Sequence, residues 1–469
     1  MKMLIRNLKL VLFLFFGISA VLLAGLVVQQ HRSRTELAVA AGENKAALKE
    51  RYATAGRILA ADGTVLAKSA NGKRTYAKDT TTAKALLHVV GDYTHRIGNT
   101  AEALYQGPLL GSERSFLHQM LLDFTGKGLV GDDLTLTVDA ALSKQAYSLL
   151  KGRKGAVVLL DWSTGAVRVS VSSPSTSPAS VIEWTDIPDT ALYDRALLGA
   201  YAPGSTFKLV TAAAWLSAPG YDPAFTLDCK GKAISVPNGA DETTKGHGEV
   251  GLEEAFAESC NVWFGETGMK LGRKRLLDMT GNFGIGKPVT ADRMKVRTGV
   301  METEDDPATL SWLAIGQPNE YSRLSLSPLQ MAMIAGGIAN GGVIRTPHLT
   351  DHLTDPLGND YQKLSVDTWQ RILPESTARE LQTLMVKTTE TGTGSAAAVK
   401  GLTVAGKTGT VQVEGQKNNA LYVGFLADPQ TPYAIAVIVE EGGSGGKTAA
   451  PIAASLFRAA AVTKKPGNP

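Results

Sequence analysis

The sequence predicts an α/β (α+β) protein in which one antiparallel sheet is covered by helices on both faces. Three observations predict this fold class. Residues 156–171 have the pattern of a β-hairpin, helical periodicity dominates residues 205–384, and alternating β-prone segments return after residue 402. Strands at both ends of a domain, with helices between them, imply a sheet that is closed by segments far apart in the sequence.

The first element is an apolar run at residues 10–28, which contains no charged side chain. A helix of this length, rising about 1.5 Å per residue, reaches across most of the roughly 30 Å hydrocarbon core of a bilayer. We therefore expect a single transmembrane anchor after a short cytoplasmic tail at residues 1–9. A cleaved signal peptide is the alternative, but the apolar run is longer than its usual core, and the nearest Ala-x-Ala, at residues 38–40, lies well past it.

The remaining chain is expected to form three parts. Residues 29–54 have the composition of a polar helical stalk, and residues 55–131 mix strand-like runs, glycines and helical stretches, as a small α+β accessory domain would. The main domain covers residues 132–469, and no strand is expected in it between the hairpin and residue 402. Its elements are predicted, in order, as a strand at 134–139, a helix at 141–151, the hairpin, helices within 205–384, strands at 402–413, 421–426 and 433–439, and a last helix at 450–462.

Charge and cysteine content limit the function classes. The chain has 469 residues, with 48 basic against 44 acidic side chains and a net charge of +4. Because the basic residues are scattered rather than gathered with aromatic residues into a stripe, nucleic acid is not expected as a partner. The two cysteines, Cys229 and Cys260, make no disulfide framework, and both a single bridge and two buried thiols remain open.

The first candidate catalytic motif is Ser205-Thr206-Phe207-Lys208. Pro-Gly precedes it and an apolar helical run follows, which places Ser205 at a helix start, where unpaired backbone N–H groups favour developing negative charge. The i,i+3 spacing brings the Lys208 amine over the Ser205 hydroxyl. A partly desolvated lysine could be neutral enough to accept a proton, so the pair could supply a nucleophile and its base.

The second candidate motif is Ser259-Cys260-Asn261. On a continuous helix the side chains of Ser259 and Asn261 would point away from each other, because they are two residues apart. The residues before and after the motif follow helical spacing, so we predict a turn between two helices. A helix terminus with two polar caps is the alternative interpretation.

The third candidate motif, Lys407-Thr408-Gly409-Thr410, lies within alternating β-prone residues. On an exposed strand it would let a peptide substrate pair along the edge, with Gly409 allowing close approach and Lys407 and Thr408 meeting a carboxylate. Residues 401–408 also complete a phosphate-loop pattern. That pattern requires a helix after the threonine, and β-prone residues follow instead, so a nucleotide site is not expected.

Neither a metal nor another cofactor is expected. His348 and His352 have the i,i+4 spacing of a metal-binding helix but lack the glutamate after the first histidine. Acyl transfer without a metal needs a hydroxyl nucleophile, a base and donors for the oxyanion, and the three motifs can supply all of them. The chain is therefore predicted to be a serine acyltransferase.

With these motifs in this order, the chain resembles the penicillin-binding proteins, specifically the monofunctional, membrane-anchored (class B-like) D,D-transpeptidases of the serine penicillin-recognising, β-lactamase-like superfamily. The resemblance covers about residues 134–462 and includes Gly155 to Asp161 and Ile315-Gly316-Gln317. It implies a β-lactamase/transpeptidase-like fold. It also implies a peptidoglycan D,D-transpeptidase that crosslinks stem peptides and is covalently inhibited by β-lactam antibiotics.

The resemblance assigns catalytic roles to the first two motifs. It implies that Ser205 attacks the carbonyl between the two terminal D-alanines of a stem peptide, with Lys208 as base. Ser259 would relay protons to the leaving amine, and Asn261 would hold the substrate amide. An amine from a neighbouring stem peptide would then resolve the acyl-enzyme.

It assigns substrate binding to the third motif. Lys407, Thr408 and Thr410 would hold the terminal carboxylate and support Ser259, and the backbone N–H groups of Ser205 and Thr410 would form the oxyanion hole. The resemblance further implies an extracytoplasmic catalytic domain on the cytoplasmic membrane and a polytopic glycan polymerase as partner.

Three other functions fit the same motifs. A D,D-carboxypeptidase differs only in using water to resolve the acyl group, and the sequence leaves this alternative open. A class A β-lactamase would need a glutamate on a separate loop, and no Glu-x-x-Asn segment of that kind lies between Asn261 and Lys407. A β-lactam sensor must pass its signal inward, yet only about nine residues precede the predicted anchor and no second span is evident. An inactive scaffold should have lost a motif residue, whereas all are present.

Overall fold

The computed structural model describes residues 6–7, 9–25, 45–183, 186–231, 246–363 and 365–462. Residues 9–25, which include most of the predicted anchor, form a helix, α1, with mostly exposed side chains. Within the described ranges, no helix has both the length and the hydropathy that membrane crossing requires. Most of the predicted tail, the last three residues of the predicted anchor and most of the predicted stalk lie outside the described residues.

Short helices and short strands alternate through most of the chain. The helices are α2 (Lys45–Arg51), α3 (Thr80–Ala85), α4 (Leu87–Val90), α5 (Ala101–Leu104), α6 (Gln106–Leu109), α7 (Phe116–Phe124), α8 (Ala140–Leu150), α9 (Pro178–Ile182), α10 (Asp189–Leu192), α11 (Arg195–Leu198), α12 (Lys208–Leu216), α13 (Leu252–Ala257), α14 (Asn261–Asn282), α15 (Pro307–Ala314), α16 (Pro328–Ala339), α17 (Glu375–Glu390) and α18 (Gly445–Val462). The strands are β1 (Ile58–Leu59), β2 (Val65–Ala70), β3 (Lys73–Tyr76), β4 (Asp133–Leu136), β5 (Gly155–Asp161), β6 (Val167–Ser173), β7 (Leu227–Cys229), β8 (Gly248–Val250), β9 (Thr290–Ala291), β10 (Met294–Lys295), β11 (Val300–Thr303), β12 (Ser322–Ser325), β13 (Val343–Arg345), β14 (Thr350–Thr354), β15 (Asp360–Tyr361), β16 (Thr368–Arg371), β17 (Val404–Val411), β18 (Asn419–Leu426) and β19 (Tyr433–Val439). Among the described residues, 3-10 segments lie at Tyr52–Thr54, Gly204–Phe207 and Ser395–Ala397.

A five-stranded sheet forms the centre of the main domain, in the order β17-β18-β19-β5-β6. Every neighbouring pair is antiparallel. The prediction that distant segments close one sheet is confirmed, because Val157 on β5 lies opposite Val437 on β19. β17, which carries the third motif, ends this order and is an edge strand of the described sheet.

Helices cover both faces of the central sheet, as the sequence predicts. Successive side chains of a strand point to opposite faces, so Val157 and Leu159 pack in one apolar cluster while Val158 and Leu160 pack in another. The first cluster includes residues of α8 and α18, and the second includes residues of α12 and α16. The motif-bearing helices therefore lie on one side of the sheet.

A second sheet joins the predicted accessory domain to the main domain. Its six strands have the order β15-β14-β4-β1-β2-β3, with β1 and β4 parallel and the other pairs antiparallel. β14 and β15 come from the middle of the predicted main domain. Within the accessory region, Arg74 Nε and Glu102 Oε1 are 2.8 Å apart, and both side chains are completely buried.

The prediction that no strand lies between the hairpin and residue 402 was wrong. β7 to β16 lie in this region, and each is two to five residues long. Most of them pair in local two-stranded ribbons, while β14 and β15 extend the second sheet. Strands this short contain too few alternations for a period-two pattern to be distinguished from the surrounding helical periodicity.

Candidate active site

The first motif lies at a turn that leads into a buried helix. Gly204–Phe207 forms one 3-10 turn, and α12 begins directly after it at Lys208. Gly204 has φ +53°, and a Cβ at this position would lie only 2.7 Å from Val411 Cγ2. A residue without a side chain thus lets the turn approach β17 closely. Ser205 is half-buried at this helix start, where the sequence predicted it.

Lys208 is completely buried and contacts the second motif. Its Nζ donates to the Ser259 carbonyl oxygen at 2.5 Å and to Asn261 Oδ1 at 2.8 Å, and lies 3.2 Å from Ser259 Oγ. The amine also lies 5.3 Å from the centre of the Phe264 ring, within cation–π range. The first two motifs therefore meet at one amine, although Lys208 and Ser259 are 51 residues apart.

The second motif forms the turn between α13 and α14, as predicted. α13 ends at Ala257 and α14 begins at Asn261. Ser259 has φ +62°, in the left-handed region that residues with a side chain rarely adopt. This angle reverses the backbone so that Ser259 and Asn261 both contact Lys208, which a continuous helix would prevent.

The third motif lies in edge strand β17, so the predicted strand is confirmed, but it is buried except at Thr410 rather than exposed along its length. Lys407 pairs with Val423 on β18, and its side chain is completely buried, with Nζ 5.7 Å from the centre of the Phe256 ring. Burial lowers the pKa of Lys407 well below its usual value, the positive charge of Lys208 lowers it further, and Glu258 opposes both effects. The positive charge of Lys208 therefore makes protonation of Lys407 less favourable.

β17 packs directly against the Ser205 turn. A Cβ on Gly409 would lie 3.0 Å from both the Pro203 carbonyl oxygen and Thr206 Cγ2, so glycine permits this contact. Thr410 is exposed, and its Oγ1 accepts a hydrogen bond from the Gly445 N–H at 3.3 Å. The strand continues past Thr408 to Val411, so the helix that a phosphate loop requires does not follow the Gly-Lys-Thr segment.

The structure thus brings every predicted site residue into one region, where a half-buried hydroxyl, two buried amines and a strand edge meet. These residues are Ser205, Lys208, Ser259, Asn261, Lys407, Thr408, Gly409 and Thr410. The arrangement can supply a nucleophile, a nearby base, a proton relay and an anion-binding strand edge.

The sequence analysis missed Thr393, which joins the second motif to the third. Thr408 Oγ1 donates to Thr393 Oγ1 at 2.9 Å. Both the N–H and the hydroxyl of Thr393 donate to the carbonyl oxygen of Ala257, at 3.1 and 3.3 Å. The available signal was a threonine between two glycines, a few residues after the predicted helical region at 205–384, and this pattern is too common to indicate a functional residue.

One cluster beside the site has the ligand types of a metal centre. The ligand atoms of Cys229, His247 and Cys260 all lie within 4.8 Å of one another, and both cysteines are free thiols rather than a bridge. Thiolate and imidazole are ligands that zinc prefers. Burial is the main cause that raises the pKa of Cys260, to about 12, so this thiol is protonated at neutral pH in the metal-free state.

Comparison with known proteins gives a family. The family model "Penicillin binding protein transpeptidase domain" matches residues 155–458. The peptidoglycan D,D-transpeptidase PbpA of Mycolicibacterium smegmatis is 31% identical over 461 residues, covering 89% of this chain and 91% of that protein. PbpA of Mycobacterium tuberculosis strain H37Rv is 30% identical over 453 residues, with the same two coverages of 89% and 91%.

Solved structures show the same likeness. The imipenem acyl-enzyme complex of penicillin-binding protein A from M. tuberculosis superposes with a TM-score of 0.78 and 29% identity, covering 88% of this chain and 99% of that one. The penicillin G acyl-enzyme complex of the same protein gives a TM-score of 0.74 and 29% identity, covering 87% of this chain and 100% of that one. Because the family model spans most of the chain and includes all three motifs, this chain belongs to the penicillin-binding protein transpeptidase family.

Proposed function

We propose that this chain is a peptidoglycan D,D-transpeptidase that works through an acyl-enzyme on Ser205. The observation that carries the proposal is the position of Lys208, which begins α12 directly after the Ser205 turn. Its buried amine contacts Ser259 and Asn261. The relatives in two mycobacterial species are named for this activity, and the similar solved structures are β-lactam acyl-enzymes.

In the acylation step, Ser205 Oγ attacks the carbonyl carbon between the two terminal D-alanines while Lys208 takes the hydroxyl proton. A C–O bond forms, and the C–N bond breaks as the leaving D-alanine nitrogen receives a proton. Ser259 is suited to pass on that proton, because its Oγ lies 3.2 Å from the Lys208 amine. The N–H groups of Ser205 and Thr410 stabilise the oxyanion of the tetrahedral intermediate.

In the second step, the amine of a neighbouring stem peptide attacks the ester carbonyl. The new C–N bond crosslinks the two peptides, the C–O bond to Ser205 breaks, and the proton lost by the amine returns to the Ser205 oxygen through Lys208. If water attacked instead, the same residues would give a D,D-carboxypeptidase. A β-lactamase on this fold would also use water, and would hydrolyse its β-lactam ester rapidly.

Substrate binding is assigned to Asn261 and to edge strand β17, in which Thr410 is exposed and the other residues are buried. The hydroxyls of Thr408 and Thr410 and the amine of Lys407 would hold the terminal carboxylate. That carboxylate would favour the protonated form of Lys407, which burial and Lys208 disfavour in the free enzyme. Gly409 lets β17 pack against the Ser205 turn, which holds the strand edge beside the nucleophile. The Asn261 amide meets the substrate amide.

We also propose the arrangement of the whole chain in the cell. Residues 10–28 anchor the protein in the cytoplasmic membrane, with residues 1–9 in the cytoplasm. Residues 29–54 form the stalk, residues 55–131 the accessory domain and residues 132–469 the extracytoplasmic transpeptidase domain. The uncharged apolar run and the family resemblance support this arrangement, together with a polytopic glycan polymerase as partner.

The test of the nucleophile is intact mass spectrometry after incubation with a β-lactam. We expect a stable adduct on the Ser205 peptide that Ser205→Ala removes. Ser148→Ala is the matched control, because Ser148 and Lys151 share the Ser-x-x-Lys spacing but Ser148 Oγ donates to the Lys144 carbonyl oxygen on α8. An adduct that persisted in Ser205→Ala would overturn the assignment, and many turnovers of a chromogenic cephalosporin would favour a β-lactamase.

A separate assay distinguishes the transpeptidase from the carboxypeptidase. The enzyme is given a donor stem pentapeptide with and without an amine acceptor, and products are resolved by mass. Transpeptidation yields the crosslinked product when the acceptor is present. Release of D-alanine with only a tetrapeptide product, at every acceptor concentration, would favour the carboxypeptidase.

A further inference from the structure

A patch of exposed large apolar side chains covers α7 and the segment that follows it. Soluble proteins rarely expose such residues contiguously, and a contiguous patch usually marks an interaction site. We call this patch the α7 face. Its residues, with their exposed fractions, are Phe116 (57%), Leu117 (70%), Met120 (42%), Leu121 (51%), Phe124 (84%), Leu129 (83%) and Val130 (46%).

The helix is held with this apolar side outward. Its five exposed apolar residues follow the spacing i, i+1, i+4, i+5 and i+8, which places them along one stripe of a helix. The opposite side faces the protein, since Leu122 is completely buried and His118 Nε2 lies 3.5 Å from Asp355 Oδ2. The α7 face is therefore the outward, apolar side of a helix whose inward side contacts the protein.

The cationic groups near the α7 face have partners within the protein. Arg114 pairs with Asp132, and Arg114 Nη2 also donates to the Val130 carbonyl oxygen at 2.6 Å. Lys127 Nζ donates to the Pro356 carbonyl oxygen at 2.8 Å. Binding at this face should therefore depend on apolar contact rather than on attraction of a charged partner.

The α7 face lies beside the point where the chain arrives from the predicted anchor. The Gly131 N–H, directly after Val130, donates to the Thr54 carbonyl oxygen at 3.0 Å. Thr54 ends the 3-10 segment that follows α2, the first described helix after α1. Even fully extended, residues 26–44 can separate Lys45 from α1 by no more than roughly 70 Å.

We propose that the α7 face binds the lipid bilayer in which the chain is anchored. α7 lies in the plane of the interface, with its apolar side chains inserted about 5–10 Å into the headgroup and acyl boundary. The proposal rests on the proposed membrane anchor, which would hold the face at high local concentration near the lipid. Two attachment points, the anchor and α7, would then fix the orientation of the domain on the membrane.

The test uses the full chain reconstituted in phosphatidylcholine vesicles with a nitroxide at Leu117→Cys. Both native thiols are buried, which directs the label to the new cysteine. We expect the label to be several-fold more accessible to oxygen, which concentrates in the acyl region, than to a water-soluble nickel chelate. A label at Tyr321→Cys, also an exposed position, is the control and should show the opposite preference. Raised salt should leave both results unchanged.

Three other results would overturn the proposal, and the measurements distinguish them from one another. If the protein floats with the vesicles but the Leu117 label is accessible to the nickel chelate, the face lies in water. If the label is shielded from both relaxing agents, a protein surface, such as a second copy of this chain, covers the face. If the protein does not float, the anchor proposal fails together with this one. Fluorescent penicillin labelling of each variant verifies that the site is folded.

Discussion

At the scale of single residues, the site depends on two lysines that are completely buried. Each has an aromatic ring near its amine, Phe264 for Lys208 and Phe256 for Lys407. A completely buried lysine is costly to keep charged, and the lowered pKa of Lys407 expresses that cost. The residues that make the site reactive therefore reduce the stability of the free enzyme.

We predict that Lys407→Met stabilises the protein at pH 7 by about 1–4 kcal/mol while removing most acylation activity. Unfolded lysine titrates near pH 10.4, whereas folded Lys407 titrates lower. Between these two pKa values the unfolded chain binds more protons, so the stability of the wild type rises with pH. The stability advantage of Lys407→Met over the wild type should therefore shrink as the pH rises towards 10.

Urea denaturation of both proteins at several pH values measures this difference. Lys274→Met is the control, because Lys274 is an exposed lysine in an i,i+4 pair with Asp278. Its effect should be small at every pH. A constant stability difference between Lys407→Met and the wild type from pH 7 to 10 would contradict the prediction.

Ser259 combines a functional hydroxyl with a backbone angle that suits glycine. We predict that Ser259→Gly and Ser259→Ala both slow acylation, because each removes the hydroxyl beside Lys208. The two variants should differ in stability by about 1 kcal/mol in favour of glycine, since alanine keeps the steric cost of a positive φ. Thermal unfolding measures this difference, and equal melting temperatures would argue against strain at this turn.

At the scale of elements, the segment after α17 connects the end of α13 to β17. The segment after α17 supplies Thr393, which bonds both to the Ala257 carbonyl and to the Thr408 hydroxyl. α13 ends at Ala257, two residues before Ser259, so Thr393 connects the turn of the second motif to the strand of the third. The relative position of these two motifs therefore depends on a residue outside both of them.

We predict that Thr393→Val slows acylation by a β-lactam by roughly tenfold, because it breaks a hydrogen bond worth about 0.5–1.5 kcal/mol and lets Thr408 move. Thr393→Ser is the matched variant, since it keeps the hydroxyl and should retain most of the rate. Stopped-flow measurement of acylation by a fluorescent penicillin gives both values. Equal rates in Thr393→Val and the wild type would show that Thr408 is held by other contacts.

The sequence predicted elements well where their patterns were long. β5, β6, β17, β18 and β19 each have seven or eight residues and were expected as strands. The helix turn at Ser259 was predicted because a two-residue spacing is incompatible with a continuous helix. Thr393 was not predicted, because its hydrogen bonds join loops whose approach depends on the whole fold. The short strands between α12 and β17 were missed since two to five residues carry little periodicity.

At the scale of the whole molecule, the predicted accessory and main domains share one sheet. β14 and β15 extend the sheet that β1 to β4 form, and Thr350 Oγ1 donates to the Tyr105 hydroxyl across 245 residues of sequence. The sequence could not predict that the two regions share a sheet, because neither β14 nor β15 contains a pattern that identifies the strand with which it pairs. The division of the chain into two domains at residue 131 remains a proposal. Residues on the two sides of this boundary are hydrogen-bonded to each other.

We predict that Glu102→Gln destabilises the protein by about 3–5 kcal/mol, because it leaves the buried Arg74 without its anionic partner. Since the sheet is shared, the loss of penicillin binding on heating should shift to lower temperature together with the far-ultraviolet circular dichroism transition. Glu302→Gln is the control, because Glu302 forms an exposed pair with Arg323 and should cost less than about 1 kcal/mol. A circular dichroism transition at lower temperature that left penicillin binding intact would show that the predicted accessory and main domains unfold separately.

The shared sheet also has a consequence for biosynthesis. β1 to β4 leave the ribosome long before β14 and β15, so the first sheet to be synthesised cannot be completed until the chain is made as far as Tyr361. Until then, one side of β4 has unpaired backbone groups that invite wrong pairing with another nascent chain. Covering this stretch during translation would therefore raise the yield of correctly folded enzyme.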